Sequence, residues 1–133
     1  MYNDKMLEYF YNPKNVGVIK GADGMGKAVC DSTGEIVKLY VKVEDGKVTD
    51  AKFQTYGTAG TIALSSVATE IVIGKNIEDL VKISEDDLCS VVAGMPADKN
   101  YCASIVKEAI DESVADYKRK LVGEKKPRKK KSK

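Results

Sequence analysis

Between Glu35 and Tyr56 the chain spells out a β-hairpin, and that element constrains the fold more than any other. Val37, Leu39, Val41 and Val43 alternate with Lys38, Tyr40 and Lys42, the period-two pattern of a strand with one buried face. Asp45-Gly46 then supplies two residues that tolerate positive φ, as a tight hairpin turn demands. On the return strand, Lys47 to Tyr56, the same alternation puts Ala51, Phe53 and Thr55 inward and Asp50, Lys52 and Gln54 outward.

The flanking segments carry helical periods. Residues 3 to 11 place Met6, Tyr9 and Phe10 on one side of a short helix that Asn12-Pro13 ends. The stretch from Gly17 to Gly26 has four glycines and few large apolar groups, so it reads as a loop or an edge strand. Thr58 to Ile73 forms a small-residue helix with Ile62, Ala63, Val67, Ala68, Ile71 and Val72 at helical spacing, capped by Gly74. Asn76 is placed to cap a short helix through Leu80 and Val81, and Ser84, with Asp87 three residues on, another through Leu88, Val91 and Val92. The last helix runs from about Lys99 to Leu121, striped by Cys102, Ile105, Val106, Ala109, Ile110, Val114 and Tyr117.

Charge divides the chain unevenly. Residues 118–133 hold ten Lys and Arg against one Glu, whereas the preceding 117 residues hold twelve against nineteen acidic residues. The expected organisation is one domain over residues 1–121, long enough to bury roughly 65% of its unfolded surface, and a disordered basic tail over 122–133. The tail could attract nucleic acid, an anionic membrane or an acidic partner, but it has no aromatic side chains for stacking, so a solubilising role is the simpler reading. The chain has no histidine, which excludes Ser/His and Cys/His hydrolases. Three cysteines, with no long apolar run and no charged-then-apolar leader, lead us to expect a reducing compartment, the cytoplasm by default.

The succession Phe10-Tyr11-Asn12-Pro13-Lys14-Asn15-Val16-Gly17, Lys38 to Val43, Ala51 to Gly57, Ala63-Leu64-Ser65-Ser66 and Ala68-Thr69-Glu70 resembles the NifU/IscU-type iron-sulfur cluster assembly scaffolds, the NifU amino-terminal domain included, as far as about Tyr117. The resemblance implies an α+β fold: a small antiparallel sheet of about three strands packed against a layer of helices, with a long carboxy-terminal helix. It also implies three ligand loops, at Ser32 to Ile36, Tyr56 to Gly60 and Asn100 to Ser104. Family members typically read Cys-Gly-Asp where this chain has Thr33-Gly34-Glu35, Gly-Cys at Gly57-Thr58, and His-Cys at Tyr101-Cys102. Only Cys102 of the three cysteines is kept. A threonine hydroxyl is neutral and hard, so these exchanges remove charge and affinity for iron.

Three residues remain as candidate cofactor and metal ligands. Cys102, near a helix amino terminus that favours a thiolate, is either a ligand or sulfur acceptor, as the resemblance implies, or a small core residue. Glu35 matches the family's acidic position and is either a carboxylate ligand or a solvated edge charge. Cys30 lies three residues before Thr33, roughly 10 Å of extended chain, and can stand in as a ligand only if residues 30 to 33 form a turn. Cys89 reads as packing; Thr58 reads as a helix cap, Tyr101 as a partly exposed lid and Thr33 as a turn residue. Met95-Pro96-Ala97-Asp98-Lys99 stands where scaffold proteins carry a Leu-Pro-Pro chaperone recognition segment, with one proline lost.

The resemblance therefore implies a non-enzymatic scaffold that binds iron, zinc or a labile binuclear iron-sulfur cluster. Its partners would be a cysteine desulfurase as sulfur source and recipient apoproteins, with a homo-oligomer able to pool Cys102 and Cys30. The alternative is a paralogue without a cluster that acts as an adaptor, for example docking the desulfurase.

Overall fold

The computed structural model describes residues 3–92 and 101–123. Three strands, β1 (Gly24–Cys30), β2 (Glu35–Glu44) and β3 (Lys47–Tyr56), form an antiparallel sheet in the order β1-β2-β3. The helices are α1 (Asp4–Tyr11), α2 (Ala59–Val72), α3 (Glu85–Val91) and α4 (Tyr101–Leu121), with a 3-10 helix (Ile77–Lys82) between α2 and α3. This is the expected α+β architecture. The expected helix start at Lys99, the Met95–Lys99 segment and the tail from residue 124 onward lie outside the described residues.

The hairpin forms as read. Asp45 and Gly46 have φ of 53° and 77°, the paired positive values of a type I′ turn, whose twist matches that of the strands it joins. A bulge between Lys42 and Val43 interrupts the alternation, so Val37, Leu39 and Val41 are buried while Val43 is only partly so. The glycine-rich stretch resolves into a loop followed by the edge strand β1. Its composition follows from α4, which lies across it: a Cβ on Gly26 would sit 2.1 Å from the Ala109 carbonyl oxygen, so only glycine permits this approach. Buried Asp116 adds a polar tie across the seam, accepting from the Met25 amide at 2.9 Å and pairing with Lys120 at 3.0 Å.

Not every expected cap forms. Ser84 and Asp87 make the full reciprocal capping box of α3, and Asn3 caps α1 through Met6 N at 2.8 Å. Asn76 begins the 3-10 helix without a side-chain cap bond; the backbone there is held by the hairpin, with Ile77 N donating to Gly46 O at 2.8 Å. The core lies between the sheet and α2 and α4, centred on Leu39, Phe53, Leu64, Val67, Val106 and Ile110.

Candidate functional site

At one end of the sheet the start of β2, the β3–α2 connection and the first turn of α4 converge. Thr33, Glu35, Thr55, Tyr56, Gly57, Thr58, Ile62 and Tyr101 line an open cleft there of about 600 Å³. All three expected ligand loops thus meet at one place.

Glu35 is the centre of that meeting, and it corrects the alternative of a solvated edge charge, since only 3% of it is exposed. Its burial follows from the start of β2 facing inward and from Gly57, where a Cβ would lie 2.6 Å from Glu35 Oε1. Oε1 accepts from Thr58 N at 3.1 Å and from Thr58 Oγ1 at 3.4 Å, and makes its closest hydrogen bond with the Thr61 hydroxyl. Oε2 is buried and has no hydrogen-bond partner among the described residues. The Tyr101 phenol stands beside the carboxylate, close enough for each group to shift the other. Burial alone would raise the Glu35 pKa. Hydrogen bonding from Thr61 and Thr58, with the Tyr101 and Thr33 hydroxyls close by, outweighs it, and the carboxyl lies below its ordinary value. The Tyr101 phenol is pushed well above the usual value by the same carboxylate and by burial.

Cys102, in the first turn of α4, is fully buried, yet it is not sealed among aliphatic neighbours. Its Sγ lies 3.3 Å from Thr61 Oγ1 and 3.9 Å from Thr58 Oγ1. Thiol and carboxylate therefore belong to one polar cluster. Thr58 sits at the N-cap position of α2 but does not cap with its side chain, contrary to expectation: its hydroxyl is turned to Glu35 and Thr61. The Thr58 backbone amide also donates to Glu35, at 3.1 Å, so the residue is turned to the carboxylate through both groups.

Cys30 meets the condition set for it. The backbone turns at residues 30–34, with Gly34 N donating to Cys30 O at 2.7 Å and Thr33 N at 3.2 Å, so Thr33 is the expected turn residue. Cys30 becomes the antiparallel partner of Glu35, and residues directly opposite on paired strands project to the same face. Its thiol pKa is lowered by hydrogen bonding to the Ser32 hydroxyl, 3.4 Å away, and to Thr33. Cys89 packs against the core, where burial, followed by the nearby Asp86 and Glu85 charges, raises its pKa. Among the described residues, no three His, Cys, Asp or Glu side chains form a metal-binding group.

Thr61 is the site residue that the sequence did not single out. A polar residue one turn after Thr58 on an otherwise buried helix was the available signal, but helical small-residue packing explains a threonine equally well.

A three-stranded antiparallel sheet with helices on one face, and connecting loops gathered into a cleft at its end, defines a class of small α+β domain. A crystallographically determined NifU-like protein, the amino-terminal part from Brucella abortus, has the same fold, with a TM-score of 0.74 at 22% identity over 89% of this chain and 94% of that one. The chain belongs to the NifU-like N terminal domain family, whose model matches residues 1–124. It is 42% identical over 120 residues to the iron-sulfur cluster assembly scaffold protein IscU 1 of Archaeoglobus fulgidus, covering 90% of this chain and 78% of that protein. It is 38% identical over 122 residues to the iron-sulfur cluster assembly enzyme IscU of Drosophila melanogaster, covering 89% and 79% respectively. Among the described residues, no helix is long and apolar enough to cross a membrane.

Proposed function

We propose that this chain acts in iron-sulfur cluster assembly as a scaffold-like protein, with iron or a labile cluster as its cargo for transfer to recipient proteins. Glu35 Oε2 carries the reading: a buried carboxylate oxygen without a hydrogen-bond partner among the described residues, in a cleft shared by all three loops, is a costly arrangement that a bound cation would relieve. Cys102 lies one hydroxyl away and Cys30 lies across the strand pair, so one carboxylate and two thiolates are the donors to recruit. One chain provides too few thiolates for a binuclear cluster, and a second copy contributing Cys102 and Cys30 would complete four. The role is that of a carrier and not a catalyst. Sulfur would come from a cysteine desulfurase, and three free thiols suit a reducing cytoplasm.

A second reading has its own observation. With Cys102 fully buried and no group of three ligands assembled among the described residues, the chain also fits an adaptor that keeps the scaffold surface and docks the desulfurase without holding a cluster. Anaerobic reconstitution with iron and sulfide separates the two. The scaffold reading expects a visible chromophore with retained iron that is lost in Cys102→Ser; absence of bound iron and zinc in the wild type leaves the adaptor.

A further inference from the structure

The hydroxyl of Thr61, itself fully buried, stands between the two groups that the cleft offers, bonded to Glu35 Oε1 and 3.3 Å from Cys102 Sγ. A threonine hydroxyl has one proton and two lone pairs. An ionised carboxylate only accepts, so the Thr61 proton goes to Glu35, and the contact with sulfur is left to a lone pair of the hydroxyl oxygen, with the Cys102 S–H as donor. The order is thiol to hydroxyl to carboxylate, every proton committed. Thr61 belongs to α2, Glu35 to the start of β2 and Cys102 to α4, so the bridge also ties three elements together.

We propose that Thr61 is a positioning residue that latches Cys102. In the closed form the thiol is held by the Thr61 oxygen and turned away from anything entering the cleft, and it becomes available to incoming sulfur or metal only when that contact breaks. Thr58, 3.4 Å from Glu35 Oε1 and 3.9 Å from Cys102 Sγ, spans the same two groups at longer range, too loosely to replace it. The assembly reading determines what arrives at the thiol; the latch itself does not depend on it.

The test is alkylation of the metal-free full-length chain, resolved by peptide mass spectrometry so that Cys30, Cys89 and Cys102 are followed separately. Thr61→Val keeps the side-chain shape and removes the hydroxyl. It should speed Cys102 labelling about tenfold, the upper range for loss of a single neutral hydrogen bond, while Thr61→Ser stays within about twofold of wild type and Cys30 is unaffected. Equal Cys102 rates in wild type and folded Thr61→Val, or equal acceleration by Thr61→Ser, overturn the latch. The infrared S–H stretch, isolated as wild type minus Cys102→Ser, needs no Thr61 variant: a band displaced toward the hydrogen-bonded position supports the latch, and a band at the free-thiol position refutes it. Both measurements are free of metal, so iron uptake can fail with the latch intact, and the latch can fail with iron uptake intact.

Discussion

Cys30 and Cys102 flank the same carboxylate from opposite environments. Cys30 ends an edge strand at an exposed turn, where Ser32 and Thr33 lower its pKa. Cys102, in the first turn of α4, has no exposed surface, its sulfur against the Thr61 hydroxyl. The contrast separates access from retention. On the proposed assembly role, the thiol at the turn would be the one to meet a macromolecular donor, and the buried one against α2 the one to hold cargo out of water. Glu35, paired with Cys30 across β1 and β2 and linked to Cys102 through Thr61, is the shared element.

The seam joining the two thiols is the place to break this arrangement with the largest effect. In Gly26→Ala the new methyl would meet α4 backbone at 2.1 Å and 2.4 Å, so α4, which carries Cys102, must lift from β1, which ends in Cys30. We expect about 3 kcal/mol of lost stability, the upper end for overpacking, measured by urea denaturation. Gly57→Ala is aimed at the carboxylate instead. Its Cβ would fall 2.6 Å from Glu35 Oε1, displacing the side chain at a cost of about 1–2 kcal/mol and exposing Cys102 to alkylation, while Cys30 labelling is unchanged.

A smaller effect sharpens the contrast through pH. Glu35 is depressed in the folded state, so its stabilising contribution is fully present above the ordinary glutamate pKa of about 4.3 and is lost as pH falls through the lower folded value. The stability gap between wild type and Glu35→Gln should therefore be constant near neutrality and close below about pH 4, as followed by denaturation across pH. The smallest effect belongs to the turn. Cys30→Ser should change stability by no more than about 0.5 kcal/mol, as surface substitutions do. In the wild type, Cys30 should be the first of the three thiols to alkylate.

Local chemistry made much of the fold legible. The Asp45-Gly46 turn, the strand alternation and the Ser84-Asp87 box each depend on residues adjacent in the chain, and each forms as read except at Val43, where the bulge breaks the alternation. Glu35 was legible as a position but not as a buried group, because its burial comes from Gly57, Thr58 and Thr61, more than twenty residues away. Thr61 was hidden for the same reason: its partners lie 26 and 41 residues distant. Cys30 depended on whether residues 30–34 turned, and local composition permitted the turn without requiring it. Convergence of the three loops came from family resemblance; periodicity alone places helices and strands but not the cleft between their ends.

Iron K-edge absorption on the anaerobically loaded chain tests the central claim most directly, because it reports the atoms bound to the metal. Iron held in this cleft should show both sulfur and oxygen neighbours, with the sulfur shell diminished in Cys102→Ser and the oxygen shell in Glu35→Gln. A wild-type spectrum unchanged by both substitutions would place any bound iron elsewhere and contradict the account.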